Sequence, residues 1–232
     1  MIDLHTHFLP GIDDGAKSVE EAVEMMKSAY SQGVTHCAAT PHCVLKCNED
    51  IDEFLKRRQA AYETFAAYID GFRHIPIIYQ GAEVYLNGDL KNFKDIGRLC
   101  IEGSDCILVE FPRGIINSNV AEWLYNLTTI GLKPILAHVD RYEQKAVEEL
   151  EIFELDIVFQ INAENFLSFG GRRAVKRLLT YDRRFVVSSD MHNMTTRPCN
   201  MGEAREKSRR KFDAGVTDEL FEKNGAQILN IV

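Results

Sequence analysis

Long hydrophobic runs are missing from this 232-residue chain. No stretch reaches the roughly 18 apolar residues that a membrane-spanning helix needs. Met1 is followed by neither a basic leader nor a long apolar core, so a cytoplasmic protein is expected. Positive charge is short as well: 27 Lys and Arg against 35 Asp and Glu leave a net charge of −8. Binding to a nucleic-acid backbone relies on a basic face that releases counterions, so nucleic acid is not an expected partner. There is no glycine-rich dinucleotide loop, internal repeat or low-complexity linker. The six cysteines sit in a chain large enough to fold without disulfides. Cys43 and Cys47 have no second pair at zinc-clamp spacing, so free thiols are expected, with Cys37 and Cys106 as core fillers. Histidine is also scarce, at seven residues, and this makes the placement of each one informative.

What is present is 45% apolar residues, enough for one sizeable domain over residues 1–232. Short apolar runs recur at residues 2–4, 35–40, 75–79, 106–111, 134–137, 157–161 and 185–187. Such runs, bounded by polar turns, read as parallel strands buried on both faces. Helical patterns lie between several of them. Ser18 and Glu21 make a capping box ahead of Val19, Ala22, Val23, Met26 and Tyr30 at helical spacing, and Gly33 stops that helix. Residues 50–69, 119–130 and 143–152 read similarly, whereas 41–50 reads as a loop over the site. Alternation of this kind predicts a parallel α/β fold, and a (β/α) barrel is favoured because polar residues collect at the strand ends.

The polar residues are of one chemical kind. His5 and His7 stand two apart at the end of the first strand, where both rings can face one ion. His42, Glu83, Glu110, His138, Asp190 and His192 each follow an apolar run, and Asp14 lies in the first loop. In a parallel barrel those ends share one face. Only His36 and His74 fall outside the pattern, and both read as structural. Nine donors exceed the four to six that one first-row ion takes, so two or three metals are implied. The four carboxylates would repel one another without cations, and the resulting net positive pocket would attract a phosphate dianion.

The leading His5-Thr6-His7, Pro41-His42, Gly81-Ala82-Glu83, Val109-Glu110-Phe111, the segment from Ala137 to Tyr142 and that from Ser189 to Asn193 together resemble the polymerase-and-histidinol-phosphatase (PHP) superfamily. Asp13-Asp14-Gly15 and Arg197-Pro198 make the chain most similar to its bacterial protein-tyrosine phosphatases of capsule and exopolysaccharide loci. The resemblance implies a distorted (β/α)7 barrel with three divalent ions, manganese by preference and Fe, Zn or Co as alternatives. It implies that His5, His7, Glu83 and Asp190 hold one ion and that Glu83 bridges to a second held by Glu110 and His138. Asp14, His42 and His192 would hold the third, while Arg141 and Arg197 bind the substrate phosphate. The stretch Phe111-Pro112-Arg113 and the loop after His42 are where the likeness is weakest.

The chemistry so implied is attack on phosphorus by a hydroxide bridging two ions, with the arginines spreading the developing charge. A tyrosine leaving group, with a pKa near 10, needs little protonation, and Asp140 is the one candidate donor. The implied partner is a phosphotyrosine protein such as a tyrosine autokinase. A small-molecule phosphatase such as histidinol-phosphatase is the alternative substrate class. Cys199 and Arg205 also match the C-x5-R signature of cysteine-dependent phosphatases. No strand leads into Cys199 and the segment between reads as helix, so the match reads as chance.

Overall fold

A computed structural model describes residues 1–112 and 118–231. Strands and helices alternate, beginning with β1 (Ile2–Thr6), α1 (Val19–Ser31), β2 (His36–Ala39), β3 (His42–Cys43) and α2 (Glu49–Tyr68). There follow β4 (Ile77–Gln80), β5 (Glu83–Tyr85), β6 (Cys106–Glu110), α3 (Val120–Thr129), β7 (Lys133–Leu136) and α4 (Gln144–Glu149). β8 (Val158–Asn162), α5 (Phe169–Leu178), β9 (Arg184–Ser188), α6 (Met201–Arg209), α7 (Ala214–Asp218) and α8 (Asn224–Ile228) complete the order. The apolar runs thus became strands with ends displaced by a residue or two. Arg113 lies outside the described residues.

Every strand pairing is parallel, in two sheets ordered β1-β2-β4 and β3-β5-β6-β7-β8-β9. The two sheets are parts of one wall. β3 follows β2 after two residues and β5 follows β4 after two. Gly81 N–H donates to the Ala39 carbonyl at 2.8 Å and Glu83 N–H to the Pro41 carbonyl at 3.1 Å, which carries the pairing across the breaks. Counting β2 with β3 and β4 with β5, the nine strands make seven staves. Between β9 and β1 there is no full ladder, only a Thr6–Met191 bridge with bonds from Asp190 N–H to the His5 carbonyl and from His7 N–H to the Met191 carbonyl, both 3.0 Å. Side chains fill the rest of that seam. Ser188 Oγ accepts from Leu4 N–H at 3.1 Å and the Asp3 carboxylate from Ser189 N–H at 3.0 Å.

Alternation along the strands separates two cores. Ile2, Leu4, Leu108, Ile135, Val158 and Val186 pack inside the ring, closed below by Ile228 and Leu229 at the end of α8. Phe8, Phe65, Phe159, Phe166 and their neighbours fill the space between strands and helices. A β-bulge in β1 then sets the site. Asp3 pairs with Cys37 but Thr6 with Ala39, so two residues of β1 face one of β2. Leu4 therefore stays in the interior core while His5, one residue later, already reaches the barrel mouth beside Gln160.

Two local expectations need correction. Residues 41–50 do not form a loop over the site: His42 and Cys43 pair with Glu83 and Val84, Cys43 and Leu45 are buried, and α2 begins at Glu49. A two-residue strand is too short to show a period in sequence, so the segment looked irregular. At α1, Ser18 Oγ accepts from Glu21 N–H at 3.3 Å as a capping box requires, but Glu21 reaches back to Lys17 N–H at 2.9 Å rather than to Ser18.

Candidate metal centre

All nine predicted donors meet at the C-terminal mouth of the barrel. Glu83, 1% exposed, is the hub: its Oε2 lies 3.2 Å from His5 Nε2, 3.3 Å from His7 Nε2 and 2.9 Å from His42 Nδ1. Its Oε1 lies 3.0 Å from His138 Nε2. Glu110 approaches His42 Nδ1 at 3.2 Å and His138 Nε2 at 3.6 Å. Asp190 Oδ1 stands 3.5 Å from His5 Nε2 and 3.6 Å from His7 Nε2. Asp14, the most exposed of the nine, faces His42 Nε2 at 3.3 Å and His192 Nε2 at 3.4 Å.

Three donor groups are tight enough to share an ion: His5, His7 and Asp190; His42, Glu83 and Glu110; and His7, Asp14, His42 and His192, with donor atoms within 4.8 Å of one another in each group. Set beside the grouping the resemblance implies, the first lacks Glu83 and the third adds His7. In the second, His42 stands where His138 was expected, because its ring spans both clusters with one nitrogen each.

The backbone is bent to serve this cluster. His138 (φ 33°) and Asp190 (φ 53°) both adopt left-handed conformations that cost a non-glycine residue on the order of 1–3 kcal/mol. Each stands two residues beyond a strand, His138 after β7 and Asp190 after β9, where the turn brings it to the mouth. The first loop folds back so closely that a Cβ on Gly15 would sit 1.8 Å from the His7 carbonyl oxygen, so only glycine fits there.

Sequence reasoning left two supporting residues without a role. Asp13 Oδ2 accepts from His7 Nδ1 at 2.7 Å and from His42 N–H at 3.1 Å. The Gln160 amide oxygen lies 3.1 Å from His5 Nδ1 and accepts from His138 N–H at 2.6 Å. Fixing the second ring nitrogen orients a ligating imidazole. The available signals were Asp13 beside Asp14 and a lone polar residue, Gln160, within the apolar run of β8.

Electrostatically the pocket calls for positive charge. Burial pushes down the pKa of His5, but Glu83 and Asp190 outweigh it and hold it up at about 9. For His42 burial is likewise overcome, by Glu110 and Glu83, and the value rises to about 11. Burial would raise Glu83, yet His5, His138 and His42 keep it well below the usual carboxylate range. Asp190 is also held down against burial, by His5, His7 and Arg141. Asp13 falls to about 2, burial being outweighed by its bond to His7. Without ions, protons on imidazoles balance the acids.

Arg141 and Arg197 both bind the far oxygen of Asp190, Oδ2, the latter at 2.7 Å. With Asp190 they line a cavity of about 540 Å³ that also includes Glu164, Leu167 and Glu203. Asp140 is half-buried and does not line this cavity: its two oxygens accept from Asn162 N–H at 2.8 Å and the Asn165 amide at 2.7 Å, which ties it to the end of β8. Cys199 borders the cavity, but burial pushes its thiol up to about 12 and Arg205 pairs with Asp218 and Glu222. The C-x5-R match is therefore no phosphate loop. His36 and His74 stand outside the cluster.

Among the described residues, Glu83 Oε2, His42 Nδ1, His138 Nδ1 and His192 Nε2 are buried without a partner in hydrogen-bond geometry. Two of these, Glu83 Oε2 and His42 Nδ1, lie in ion-pair range of each other at 2.9 Å but are misaligned for a hydrogen bond. Buried polar groups are normally satisfied, and a mixed imidazole and carboxylate set converging with open lone pairs fits divalent ions.

The comparisons agree with this chemistry. The chain is 28% identical over 243 residues to tyrosine-protein phosphatase CpsB of Streptococcus agalactiae, covering 99% of this chain and 98% of that protein. It is 31% identical over 241 residues to CapC of Staphylococcus aureus, with 99% and 91% covered. A crystal structure from work on Bacillus subtilis YwqE and Streptococcus pneumoniae CpsB, described as metal-dependent tyrosine phosphatases, superposes with a TM-score of 0.78 at 25% identity, over 100% of this chain and 95% of that one. Residues 1–230 match the family described as capsular polysaccharide synthesis, CpsB/CapC, and the chain belongs to that family.

Proposed function

We propose that this chain, as one domain over residues 1–232, is a metal-dependent protein-tyrosine phosphatase acting in the cytoplasm on capsule or exopolysaccharide assembly. The observation that carries the reading is the nine-residue donor cluster around Glu83, joined through Asp190 to two arginines that border an open cavity. His5, His7, Asp14, His42, Glu83, Glu110, His138, Asp190 and His192 would hold two or three divalent ions, with manganese preferred over Fe, Zn or Co. When bound, such ions supply Lewis acidity and lower the pKa of water to roughly 7.

The chain's own residues do the rest. Arg141 and Arg197 present guanidinium forks from the cavity side, suited to bidentate capture of phosphate oxygens, and Asp190 keeps both aimed there. Asp13 and Gln160 hold the imidazoles in register. Asp140 lies off the cavity lining, which favours an ester whose leaving group departs as an anion, and a phenolate with a pKa near 10 does so far more readily than a serine alkoxide. The partner is then a phosphotyrosine protein, with a tyrosine autokinase as the candidate.

One preparation assayed for metal content and for turnover of a phosphotyrosine peptide, a phosphoserine peptide and histidinol phosphate tests this. Preference for phosphotyrosine, loss on chelation, recovery with manganese and full activity of Cys199→Ser are expected. Chelator-resistant turnover, or preference for histidinol phosphate, would overturn the reading.

A further inference from the structure

A second cavity, of about 350 Å³, is lined by Phe169, Arg172, Arg173, Lys176, Lys211 and Phe212. Four cations and two aromatic rings with no acid among them stand out on a chain of net charge −8. Arg172 donates to the Phe166 carbonyl at 2.7 Å, whereas no ion pair among the described residues takes up Arg173, Lys176 or Lys211. Phe169 is 80% exposed and offers its ring to this space.

The groove also adjoins the mouth of the metal centre. Leu167 lines the catalytic cavity and Phe169, two residues on and at most about 7 Å away, lines the groove. On the facing side, Glu203 of α6 lines the cavity, Lys207 one turn later bonds both Glu203 (2.7 Å) and the Leu167 carbonyl (3.3 Å), and Lys211 reaches the groove. α6 rises about 9 Å from Glu203 to its end at Arg209 and Lys211 follows two residues on, which puts the two linings on the order of 12 Å apart. About four residues of extended chain span that distance.

Resting on the phosphatase reading, we infer that the Phe169–Phe212 groove is a docking site for a second phosphotyrosine of the same substrate chain. The aryl ring packs between the two phenyl groups while arginine and lysine take the dianion, a pairing of apolar body and strong anion that matches this lining. Neutral or basic flanking sequence gains nothing there, so the enzyme selects multiply phosphorylated segments over isolated sites.

The test compares two peptides of one sequence, carrying either a single phosphotyrosine or two separated by three residues, on the metal-loaded protein. The doubly phosphorylated peptide is expected to have at least tenfold higher kcat/KM for its first dephosphorylation, through KM. Phe169→Ala and the Arg173→Glu/Lys176→Glu double variant should bring that ratio close to one while p-nitrophenyl phosphate turnover stays unchanged. Equal kcat/KM for the two peptides on the wild type, or a ratio untouched by both variants, overturns the inference and leaves the phosphatase intact. So does loss of cosedimentation with anionic phosphatidylserine vesicles in the variants with no peptide preference, which would assign the groove to a membrane surface. Failure to hydrolyse either peptide removes the phosphatase reading, and the inference with it.

Discussion

Replacing Gly15 by alanine puts the least tolerant contact of the site under strain. The added Cβ would lie 1.8 Å from the His7 carbonyl oxygen and 2.7 Å from the His7 Cβ, where real Cβ atoms stay beyond 3.0 Å. The loop must retreat by more than an ångström. It has little slack, because Ala16 N–H bonds that same carbonyl at 3.0 Å and the Ala16 carbonyl takes Gly11 N–H at 2.8 Å. Retreat pulls Asp13 from His7 Nδ1 and His42 N–H and draws Asp14 away from His42 and His192. A charge-assisted bond of that kind contributes about 1.5–3 kcal/mol, and loss of an outer hydrogen bond to a ligand typically costs roughly 10–100-fold in metal affinity or activity. Gly15→Ala should thus lose metal to a competing chelator at least tenfold more readily and show a kcat/KM on phosphotyrosine peptide lower by about 100-fold, the scale of an ångström misplacement. Gly11→Ala is the control: φ is +68° but nothing lies within 4 Å of the added atom. It should lose roughly 1–2 kcal/mol of stability to the strain of a left-handed alanine, read as a lower Tm, and keep its metal. A Gly15→Ala protein within twofold of wild type in both chelator competition and kcat/KM would refute the argument that this close approach sets Asp13 and Asp14.

Asp13→Asn keeps the size of the side chain but withdraws the carboxylate from His7 Nδ1, so chelator competition should show metal retention weakened roughly 10–100-fold with little change in Tm of the metal-loaded form. Arg197→Ala should fold normally and lose roughly 10–100-fold in kcat/KM, mostly through KM, as expected for one charge-assisted contact to phosphate; an unchanged kcat/KM would discard that role. In metal-free protein the folded-state values of His5 (about 9) and His42 (about 11) lie above the unfolded histidine value of roughly 6.5. Their protonated forms stabilise the fold fully below that unfolded value, and the contribution is lost as pH rises through 9 and then 11. Melting curves of chelated protein should accordingly show Tm falling from neutral to strongly alkaline pH, and metal-loaded protein should be much flatter over the same range because ions replace those protons.

The strands and the donor set were legible because both are written in short-range signals. Apolar runs such as Cys106–Glu110 need no partner to be recognised, and a ligand must follow its strand directly if it is to reach the barrel mouth. What escaped depends on contacts between distant segments. β3 is two residues long and exists by pairing with β5, and Gln160 became a support only when His5 and His138 were brought to it. The start of α6 was legible as helix between Cys199 and Arg205, whereas α5 gave no clear reading, since it opens on Phe169-Gly170-Gly171. The sharing of His42 between two donor groups is likewise a matter of ring orientation, which no spacing encodes.

The seam between the first and last staves also governs how the protein is made. His5 and Asp190 occupy opposite ends of the chain's core, yet their backbones bond at 3.0 Å and their side chains share a donor group. Chains emerge from the ribosome from the N-terminus onward. The opening His5-Thr6-His7 segment can meet Asp13 and Glu83 early, but its bonds to the last stave must wait until residue 190 has been synthesised, and a truncated product can acquire neither a closed wall nor a complete ion cradle. Ions held by that donor group would act as a clasp, fastening shut a ring whose own backbone provides only a single bridge there.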